Sequence, residues 1–465
     1  MHEIPFSSDQ RFMATLHQGQ GINMIYAKGA PEKIIIKTQK ILIGDKEVDF
    51  DEERRASMNT KIFKLTSSGQ RVVAVAYCST KKNKISHADI DNLVLIGLVV
   101  IKDKVRADAK EAVALCHKAG VRVVMITGDH ANTAKAIAAE VGIKASKKQV
   151  ITGAEIDELS EAVLSRLNNA LVFARVEPRH KLQIVSLLQK SGEVVAMTGD
   201  GVNDAPALKK ADIGIAMGNG TDVAKEIADL VLLDSSFMTI VEAIKQGRNT
   251  FSNIRKVAVY LFTDCFQEMV IIGSAVLFGW PIPITPAQIL WIKLIESPLP
   301  ATSLSFEEPN HDVLLDKPRG RNEQLLTKGI KLNIAFYALV MDVIALSVFY
   351  YYWQGTGNIE KTRTLMFVAL GMSTLFNIYN VRSLGDSVFR VNPFKNRFLV
   401  MATIIGFLLF LLAIYSSFMN KVLDTVPLNL NDWFVIMSYA LTSLVVFEVG
   451  KNIIKYWTKT RLSQY

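Results

Sequence analysis

Cysteine is scarce in this sequence, and the three that occur lie far apart. They are Cys78, Cys116 and Cys265. Their spacing matches neither a zinc motif nor the disulfide framework of a small secreted domain, and it fits a reduced, cytosolic environment. Internal repeats and low-complexity stretches are also lacking, which excludes solenoids and repeat arrays.

Charge is sparse as well, at 21% of residues, whereas half of the residues are hydrophobic. The hydrophobic excess lies after residue 257, so the sequence predicts a soluble front joined to a membrane-embedded back. The formal net charge of +9 would suit either a nucleic acid or a membrane surface. The positions of the lysines and arginines decide between these two partners.

Six apolar stretches are long enough, or nearly so, to cross the roughly 30 Å hydrocarbon core as helices. They are 257–279, 284–306, 330–353, 364–381, 398–419 and 433–454. Lysines and arginines crowd the loops after the second and fourth stretches and the C-terminal tail, whereas the opposite loops hold only Lys361, Arg363 and Lys421. This asymmetry predicts a multi-pass protein of the cell or plasma membrane, with its soluble front and C-terminus in the cytosol. It also accounts for the basic charge without nucleic acid.

Ionisable side chains lie within the first two stretches, where they are costly and usually functional. Asp264 and Glu268 are four residues apart, on one helical face. Lys293 and Glu296 are three apart, so we expect them to reach one another. The run SPLP at 297–300 follows and interrupts the helical hydrogen-bond ladder, beginning with Ser297.

Interrupted helices with carboxylates near the bilayer midplane are a common design for ion sites in transporters. The alternative is a structural Lys–Glu ion pair with a proline kink. We favour the ion path for Glu268 and Glu296. Asp342 and Glu448 also lie in apolar stretches but without a partner motif, and for them both interpretations stay open.

Short β-rich runs alternate with helical ones between residues 93 and 234. The predicted strands are 121–126, 171–174, 194–197, 213–217 and 230–233, with helices at 131–141 and 179–190. This alternation predicts a doubly wound parallel α/β sheet, in which functional residues collect at the carboxyl ends of strands. Residues 236–262 are helix-compatible and run into the first apolar stretch, so they are suited to carry motion to it.

Two predicted strand ends carry the same tripeptide, Thr-Gly-Asp, at 127–129 and 198–200. Asp204 follows the second, and two carboxylates across a glycine turn can bind Mg²⁺ together with phosphate oxygens. Thr127 would offer hydroxyl and backbone donors to a phosphoryl group, and Lys181 a positive charge. Either run alone is more often an ordinary turn; two at neighbouring strand ends favour phosphate chemistry.

Longer motifs resemble those of the P-type ATPases, whose phosphorylation domain is haloacid-dehalogenase-like. The run MTGDGVNDAPAL at 197–208 is similar to the family's hinge signature, and residues 127–129 and 173–178 match two further motifs. The run KGAPE at 28–32 resembles the nucleotide-domain motif, and the segment 6–13 resembles the lining of the adenine pocket. The resemblance covers essentially the whole chain and is nearest to the calcium-pump branch.

A further segment, Asp103-Lys104-Val105-Arg106, resembles the family's acidic-to-arginine segment in altered form. The resemblance implies that Asp200 ligates the catalytic Mg²⁺, supported by Asn203 and Asp204. It also implies that the motif Thr127-Gly128, together with Lys181, contacts the transferred phosphate. The implied cofactors are ATP and Mg²⁺.

The resemblance also implies a nucleotide site. Asp129 and Arg175 would meet ATP near its phosphates and ribose, and Phe6 would stack on adenine with Lys28 at the pocket edge. Three residues carry over less directly: Arg11, Met13 and Arg71. Without the surrounding motifs, the alternative for Lys28 and Arg71 is a solvated surface charge.

The departures from the calcium-pump pattern lie in the membrane half. Glu268 matches a carboxylate of that branch. The other positions differ: Cys265 and Lys293 stand for asparagines, Glu296 for a threonine and Ser297 for the key aspartate. A fixed ammonium among the ligands opposes a second divalent charge. We therefore expect no two-calcium site; one divalent ion, a monovalent ion, or proton exchange with Lys293 as counter-charge stay open.

The family is phosphorylated on an aspartate within Asp-Lys-Thr-Gly-Thr, a run absent from this sequence. We expect that this sequence is the C-terminal portion of a longer pump, or that the front of the pump is a separate chain. In either case we expect that this chain alone cannot form the phosphoenzyme. The expected domains are part of an α+β nucleotide-binding domain at 1–92, a phosphorylation domain without its first strand at 93–247, and a six-span membrane domain at 248–465.

ATP-driven cation translocation is the leading hypothesis. Its partners would be the cation, ATP, membrane lipid and possibly the missing front of the pump. Two alternatives are a non-catalytic regulatory or scaffold subunit in the membrane and a membrane-tethered phosphatase. Both have to explain an intact Mg²⁺ motif beside a lost nucleophile. An Asp-Lys-Thr-Gly-Thr run in the DNA immediately upstream would favour the pump.

Overall fold

The computed structural model describes residues 2–7, 10–19, 21–67, 70–101, 105–309, 312–321 and 323–458, without the side chains of residues 67, 296, 297, 457 and 458. The chain divides into two compact units, Met1–Ala243 with Leu314–Arg321 and Ile244–Val313 with Asn322–Tyr465. Each unit has its own apolar core. Two residues of the predicted acidic-to-arginine segment, Asp103 and Lys104, lie outside the described residues.

A seven-stranded sheet forms the first part of the first unit, in the order β1-β2-β3-β6-β7-β4-β5. Its strands are β1 (His2–Ile4), β2 (Phe12–His17), β3 (Asn23–Gly29), β4 (Thr38–Ile43), β5 (Lys46–Asp49), β6 (Arg71–Thr80) and β7 (Leu93–Ile101). Two helices accompany it: α1 (Pro31–Ile36) and α2 (Glu52–Ser67). Strand β2 buries Phe12, Ala14 and Leu16 in alternation, as expected for a strand with one face on the core. The predicted boundary at residue 92 precedes β7, which pairs with β6 and β4.

Two three-stranded parallel sheets form the second part of the first unit, in the orders β8-β10-β9 and β11-β12-β13. The strands are β8 (Met125–Ile126), β9 (Val150–Thr152), β10 (Val172–Ala174), β11 (Ala196–Gly199), β12 (Ile213–Met217) and β13 (Leu230–Leu232). The helices are α3 (Ala109–Lys118), α4 (Ala131–Glu140), α5 (Gly153–Glu158), α6 (Glu161–Leu167), α7 (Pro178–Lys190), α8 (Ala205–Lys210) and α9 (Asp222–Ile227).

The parallel α/β character is as predicted, but the single doubly wound sheet is not. Among the described residues β8 pairs only with β10, and β11 only with β12. Ile126 and Val195 nevertheless pack against the same two apolar clusters, so the two sheets are neighbours without backbone hydrogen bonds between them. The predicted strand at 121–126 is correspondingly reduced to two residues.

The second unit is helical. Its first helix, α10 (Phe237–Leu277), begins in the first unit, and most of its residues belong to the second. The others are α11 (Pro286–Glu296), α12 (Thr302–Ser305), α13 (Lys328–Thr356), α14 (Ile359–Arg382), α15 (Arg397–Tyr415), α16 (Ser417–Leu423) and α17 (Leu430–Thr458). Within the described part of the chain, five helices are long and apolar enough to cross a membrane: α10, α13, α14, α15 and α17.

The second predicted span, 284–306, is the one that the structure does not show as a regular helix of sufficient length. Helix α11 ends at Glu296, a π-helical segment covers Ser297–Ala301, and α12 follows at once. Pro300 lies inside the π segment, where a missing N–H and the bulk of its ring prevent the regular ladder. Proline therefore explains why five rather than six helices meet the length required of a span.

A buried ion pair joins the end of α14 to the segment that follows α12, both on the side predicted to face the cytosol. The side chains of Arg382 on α14 and Glu307 are each 1% exposed, with Nε and Oε1 2.7 Å apart. Asn396 donates to the other Glu307 oxygen at 2.8 Å, and Arg382 also donates to the carbonyl of Asn392 at 2.8 Å. These hydrogen bonds compensate the desolvation that a buried ion pair incurs.

Candidate phosphate and ion sites

Asp204 and Lys181 form the best-defined part of the phosphate site. Asp204 ends a short 3₁₀ turn, Val202–Asp204, and is 6% exposed. Its Oδ1 accepts a hydrogen bond from Lys181 Nζ on α7 at 2.5 Å. A Cβ atom on Gly199 would lie 2.6 Å from the Asp204 Cβ, so only glycine lets the carboxylate fold over the end of β11. The structure thus brings together two residues that are distant in sequence.

Asp200 lies at the same strand end but faces solvent, as does Asn203. The Asp200 carbonyl accepts the Thr221 N–H at 2.8 Å, which fixes the loop backbone and leaves the carboxylate outward. A Cβ atom on Gly220 would come within 2.9 Å of that carbonyl oxygen. The backbone of this loop is therefore held in place while its acidic side chain stays accessible.

These residues fit a Mg²⁺ ion that keeps most of its ligands as water and phosphate oxygens. Among the described residues no three His, Cys, Asp or Glu side chains converge as a metal cage. Mg²⁺ seldom uses such cages and is usually bound through one or two carboxylates plus phosphate. An exposed Asp200 beside a lysine-paired Asp204 matches that donor set.

The first Thr-Gly-Asp run forms a compact turn after β8. Thr127 Oγ1 donates to Asp129 Oδ2 at 2.9 Å and accepts the Asp129 N–H at 3.1 Å. The Thr127 N–H donates to the Phe173 carbonyl at 2.9 Å, while Gly128 is exposed. Ile126, just before this turn, packs against the apolar cluster that contains Met197. Both Thr-Gly-Asp runs therefore begin at neighbouring points of one core.

Arg175 is tied to the first Thr-Gly-Asp run by its backbone and by a histidine. Its N–H donates to the Asp129 carbonyl at 2.8 Å, and its guanidinium contacts His130 Nε2. Burial and the adjacent Arg175 charge lower the pKa of His130, which favours the neutral ring that can accept this contact. Sequence reasoning missed His130; its place directly after the Thr-Gly-Asp run was the available signal.

The candidate nucleotide residues gather at one end of the seven-stranded sheet. Phe6 is 61% exposed. Met13 and Lys28 are cross-strand partners on β2 and β3. Arg11 lies between the two segments: its N–H donates to Ser7 and its carbonyl accepts from Ala30, both at 2.8 Å.

Gly29 makes this arrangement possible, because a Cβ atom there would lie 2.5 Å from the Arg11 carbonyl oxygen. Arg11 also lies 3.7 Å from Glu32 in an exposed ion pair. Arg71 begins β6 and is exposed. Arg71 comes three residues before Ala74, which pairs with Gly29 at the end of β3. Arg71 therefore lies at the same end of the sheet as Lys28 and Gly29.

A lysine and two carboxylates meet among the membrane helices. Lys293 Nζ on α11 contacts Asp264 Oδ2 and lies 3.2 Å from Glu268 Oε2, both on α10. Asp264 Oδ1 accepts a hydrogen bond from Thr374 on α14 at 2.9 Å. The sequence analysis predicted a contact between Lys293 and Glu296 instead, because spacing alone identifies only neighbours three or four residues apart on one helix. The side chains of Glu296 and Ser297 lie outside the described part of the structure.

Thr374 was missed from the sequence, although a Ser-Thr pair inside an apolar stretch was a usable signal. Glu448, for which both interpretations stay open, is paired with a lysine. Its carboxylate lies 2.6 Å from Lys451 Nζ and accepts the Val388 N–H at 3.4 Å. This lysine pair joins two positions three residues apart on the same helix.

Three family models match this chain in order. They are the P-type ATPase cytoplasmic domain N over residues 1–108, a haloacid dehalogenase-like hydrolase over 179–244, and the cation transporting ATPase C-terminus over 281–453. This chain belongs to the P-type cation-transporting ATPases. The resemblance seen in the motifs is thereby confirmed, and the family uses ATP and Mg²⁺.

Relatives of this P-type ATPase chain include calcium-transporting ATPase 1 of Bacillus cereus, 37% identical over 97% of this chain and 53% of the relative. The calcium-transporting ATPase of Bacillus subtilis is 37% identical over 94% and 50%. A probable cation-transporting ATPase F of Mycobacterium bovis is 36% identical over 95% and 50%. The chain spans about half the length of the curated relatives it matches.

Proposed function

We propose that this chain supplies the Mg²⁺-dependent phosphate site and the membrane ion path of an ATP-driven cation pump. The observation that carries the proposal is the Lys181–Asp204 pair beside an exposed Asp200, at the end of a parallel strand in a chain of this family. The alternative of a non-catalytic subunit gives no reason to keep these three side chains in this arrangement.

The phosphoryl acceptor would be an aspartate supplied from outside this sequence. The run Asp-Lys-Thr-Gly-Thr does not occur in it. In phosphoryl transfer most of the catalysis comes from positioning and from offsetting charge on the phosphate oxygens. Lys181 would neutralise one such oxygen, and Thr127 would donate to another once released from Asp129. Mg²⁺ held by Asp200 would supply the remaining positive charge.

The open edges of β8 and β11 support a missing strand between the two parallel sheets. Each edge is unpaired among the described residues, yet Ile126 and Val195 pack against the same clusters. A strand entering between them would pair with both and join the sheets into one. We propose that this strand carries the phosphorylated aspartate at its carboxyl end. We place the boundary of the nucleotide-binding domain after β7, near residue 101.

ATP would bind with its adenine on Phe6, beside Met13 and Lys28. An exposed phenyl ring offers a face for a base to stack on, and the three basic residues nearby (Arg11, Lys28 and Arg71) suit an anionic ligand. Asp129 and Arg175 would then meet the phosphates and ribose. The Glu32 ion pair of Arg11 is exposed and weak, so it costs little to exchange for phosphate.

The membrane part would cross six times, with the interrupted segment 286–305 as the second crossing. Helical conformation is continuous over these residues, and broken helices at membrane depth occur where they line an ion path. The excess of lysine and arginine on one side supports a cytosolic front and C-terminus in the cell membrane. Helix α10, which holds residues of both units, is suited to couple phosphorylation to the ion path.

The Lys293 cluster would be the ion path itself. Two carboxylates and one ammonium leave a single net negative charge, which suits one cation at a time and disfavours two divalent ions. A monovalent ion could bind with Lys293 in place. Ca²⁺, which the names of the relatives suggest, would have to displace the lysine from Asp264 and Glu268.

An ion panel tests this proposal in the assembled pump. ATP hydrolysis would be measured in vesicles first across a Mg²⁺ titration and then, at a constant Mg²⁺ concentration that saturates ATP, with Ca²⁺, Mn²⁺, Na⁺ and K⁺ added separately. We expect one cation to stimulate hydrolysis, and Lys293→Met to shift which ion does so. Hydrolysis that no cation stimulates would favour the regulatory-subunit alternative.

A further inference from the structure

Asp342 is a buried acidic side chain in the middle of a membrane helix. It lies midway between Lys328 and Thr356, the ends of α13, and is 1% exposed. At a rise of 1.5 Å per residue, each end of the helix is about 21 Å away. An aspartate side chain is far too short to reach the interface from that depth.

Neither oxygen of the Asp342 carboxylate has a hydrogen-bond partner among the described residues, and no ion pair to it forms there. The amide of Gln267 on α10 faces it, but that amide donates to the Tyr439 hydroxyl at 2.8 Å. The Tyr439 hydroxyl in turn donates to the Met341 carbonyl at 3.4 Å. The second N–H of the Gln267 amide faces Asp342, but a neutral amide supplies no positive charge to offset an ionised carboxylate.

The titratable neighbours of Asp342 are phenols. Tyr337 lies on the same helix and Tyr439 on α17, and both are almost fully buried. The other carboxylates of this unit differ: Asp264 contacts Lys293, and Glu448 is paired with Lys451. A cation close to those two favours their ionised form, whereas no lysine or arginine in the described part of the chain forms an ion pair with Asp342.

An ionised carboxylate without a partner costs several kcal/mol at this depth. Such a group lowers that cost by taking up a proton and becoming neutral. We propose that Asp342 is a proton-binding site of the membrane domain, separate from the Lys293 cluster. Bound there, the proton turns one Asp342 oxygen into a donor and removes the unpaired charge. The site would give a pump of this kind a place to hold a proton within the membrane.

Infrared spectroscopy of the purified chain in lipid vesicles at neutral pH tests the proposal. A protonated carboxylic acid has a carbonyl stretch that carboxylates and amides lack. We expect such a band, shifted when the aspartates carry ¹³C in their carboxyl groups and lost in Asp342→Asn. Glu448→Gln is the matched control, since it removes a lysine-paired carboxylate from a neighbouring helix and should leave the band unchanged.

A label-sensitive band that persists in Asp342→Asn, or a wild-type band that does not shift when the aspartates are labelled, would overturn the inference. The labelled wild type carries no substitution, so the proposal can still be tested if Asp342→Asn fails to fold. The inference rests on the membrane placement of α13 and not on the pump reaction. Failure of the ion panel would leave it standing.

Discussion

At the residue scale, we expect buried ion pairs to contribute more to the free energy of unfolding than exposed ones. Arg382→Met would leave the Glu307 carboxylate buried without its guanidinium. We expect a loss of about 3 kcal/mol in the free energy of unfolding, at the low end for a broken buried pair because Asn396 still donates to Glu307. Denaturant unfolding in detergent measures it.

Lys395→Met is the matched control, since it breaks the nearby Lys395–Glu308 pair, whose side chains are 43% and 78% exposed. An exposed pair contributes at most about 1 kcal/mol. Equal losses in the two variants would show that burial of Arg382 does not set the strength of its pair.

Adenine stacking is the second prediction at this scale. Phe6→Ala removes the exposed ring, and the loss of one base–aromatic stack, about 1–3 kcal/mol, weakens nucleotide binding by roughly tenfold or more. Titration of the purified chain with a fluorescent ATP analogue measures the dissociation constant. Phe63→Ala, which removes an equally exposed ring (63%) from α2, should leave binding unchanged; a similar loss there would refute the assignment.

At the element scale, the start of α5 makes a pH-dependent contribution to stability. Partial burial raises the pKa of Glu155, but hydrogen bonds from Thr152 and Arg166 outweigh it and hold that pKa below the usual 4.5. A depressed carboxylate pKa stabilises the fold above the unfolded-state value, and this contribution is lost as pH falls through the folded value.

Glu155→Gln removes the charge that pairs with Arg166 and should therefore cost up to about 1 kcal/mol at pH 7, and nothing at a pH below both pKa values. Unfolding of wild type and variant across this pH range measures the difference. A cost that does not change with pH would mean that the charge of Glu155 plays no part.

Local sequence patterns were sufficient for some elements and not for others. The apolar runs and the Thr-Gly-Asp turns marked most spans and the ends of β8 and β11, because both depend on residues close in sequence. The partners of Lys293 could not be predicted, since the packing of α10 against α11 brings Asp264 to it. The division into two parallel sheets also escaped the sequence, because strand runs do not reveal which edges are left unpaired.

At the scale of the whole molecule, two compact units with separate apolar clusters and one family identity support a division of labour between the units. The first holds the nucleotide and phosphate residues, and the second holds Lys293 with its two carboxylates. The candidate site residues were predicted from motifs and stay predictions, whereas the contacts between them (Lys181 with Asp204, Arg175 with His130) required the fold. We propose that the charge of the membrane cluster distinguishes this chain from a two-calcium pump.

The most direct test of the central claim is ATP-dependent cation uptake into vesicles that contain the assembled pump. Asp200→Asn removes the carboxylate proposed to hold Mg²⁺ and should abolish uptake. Asp45→Asn changes an exposed aspartate in the turn between β4 and β5 and should transport like the wild type. Full uptake by Asp200→Asn would contradict the proposal that this site powers transport.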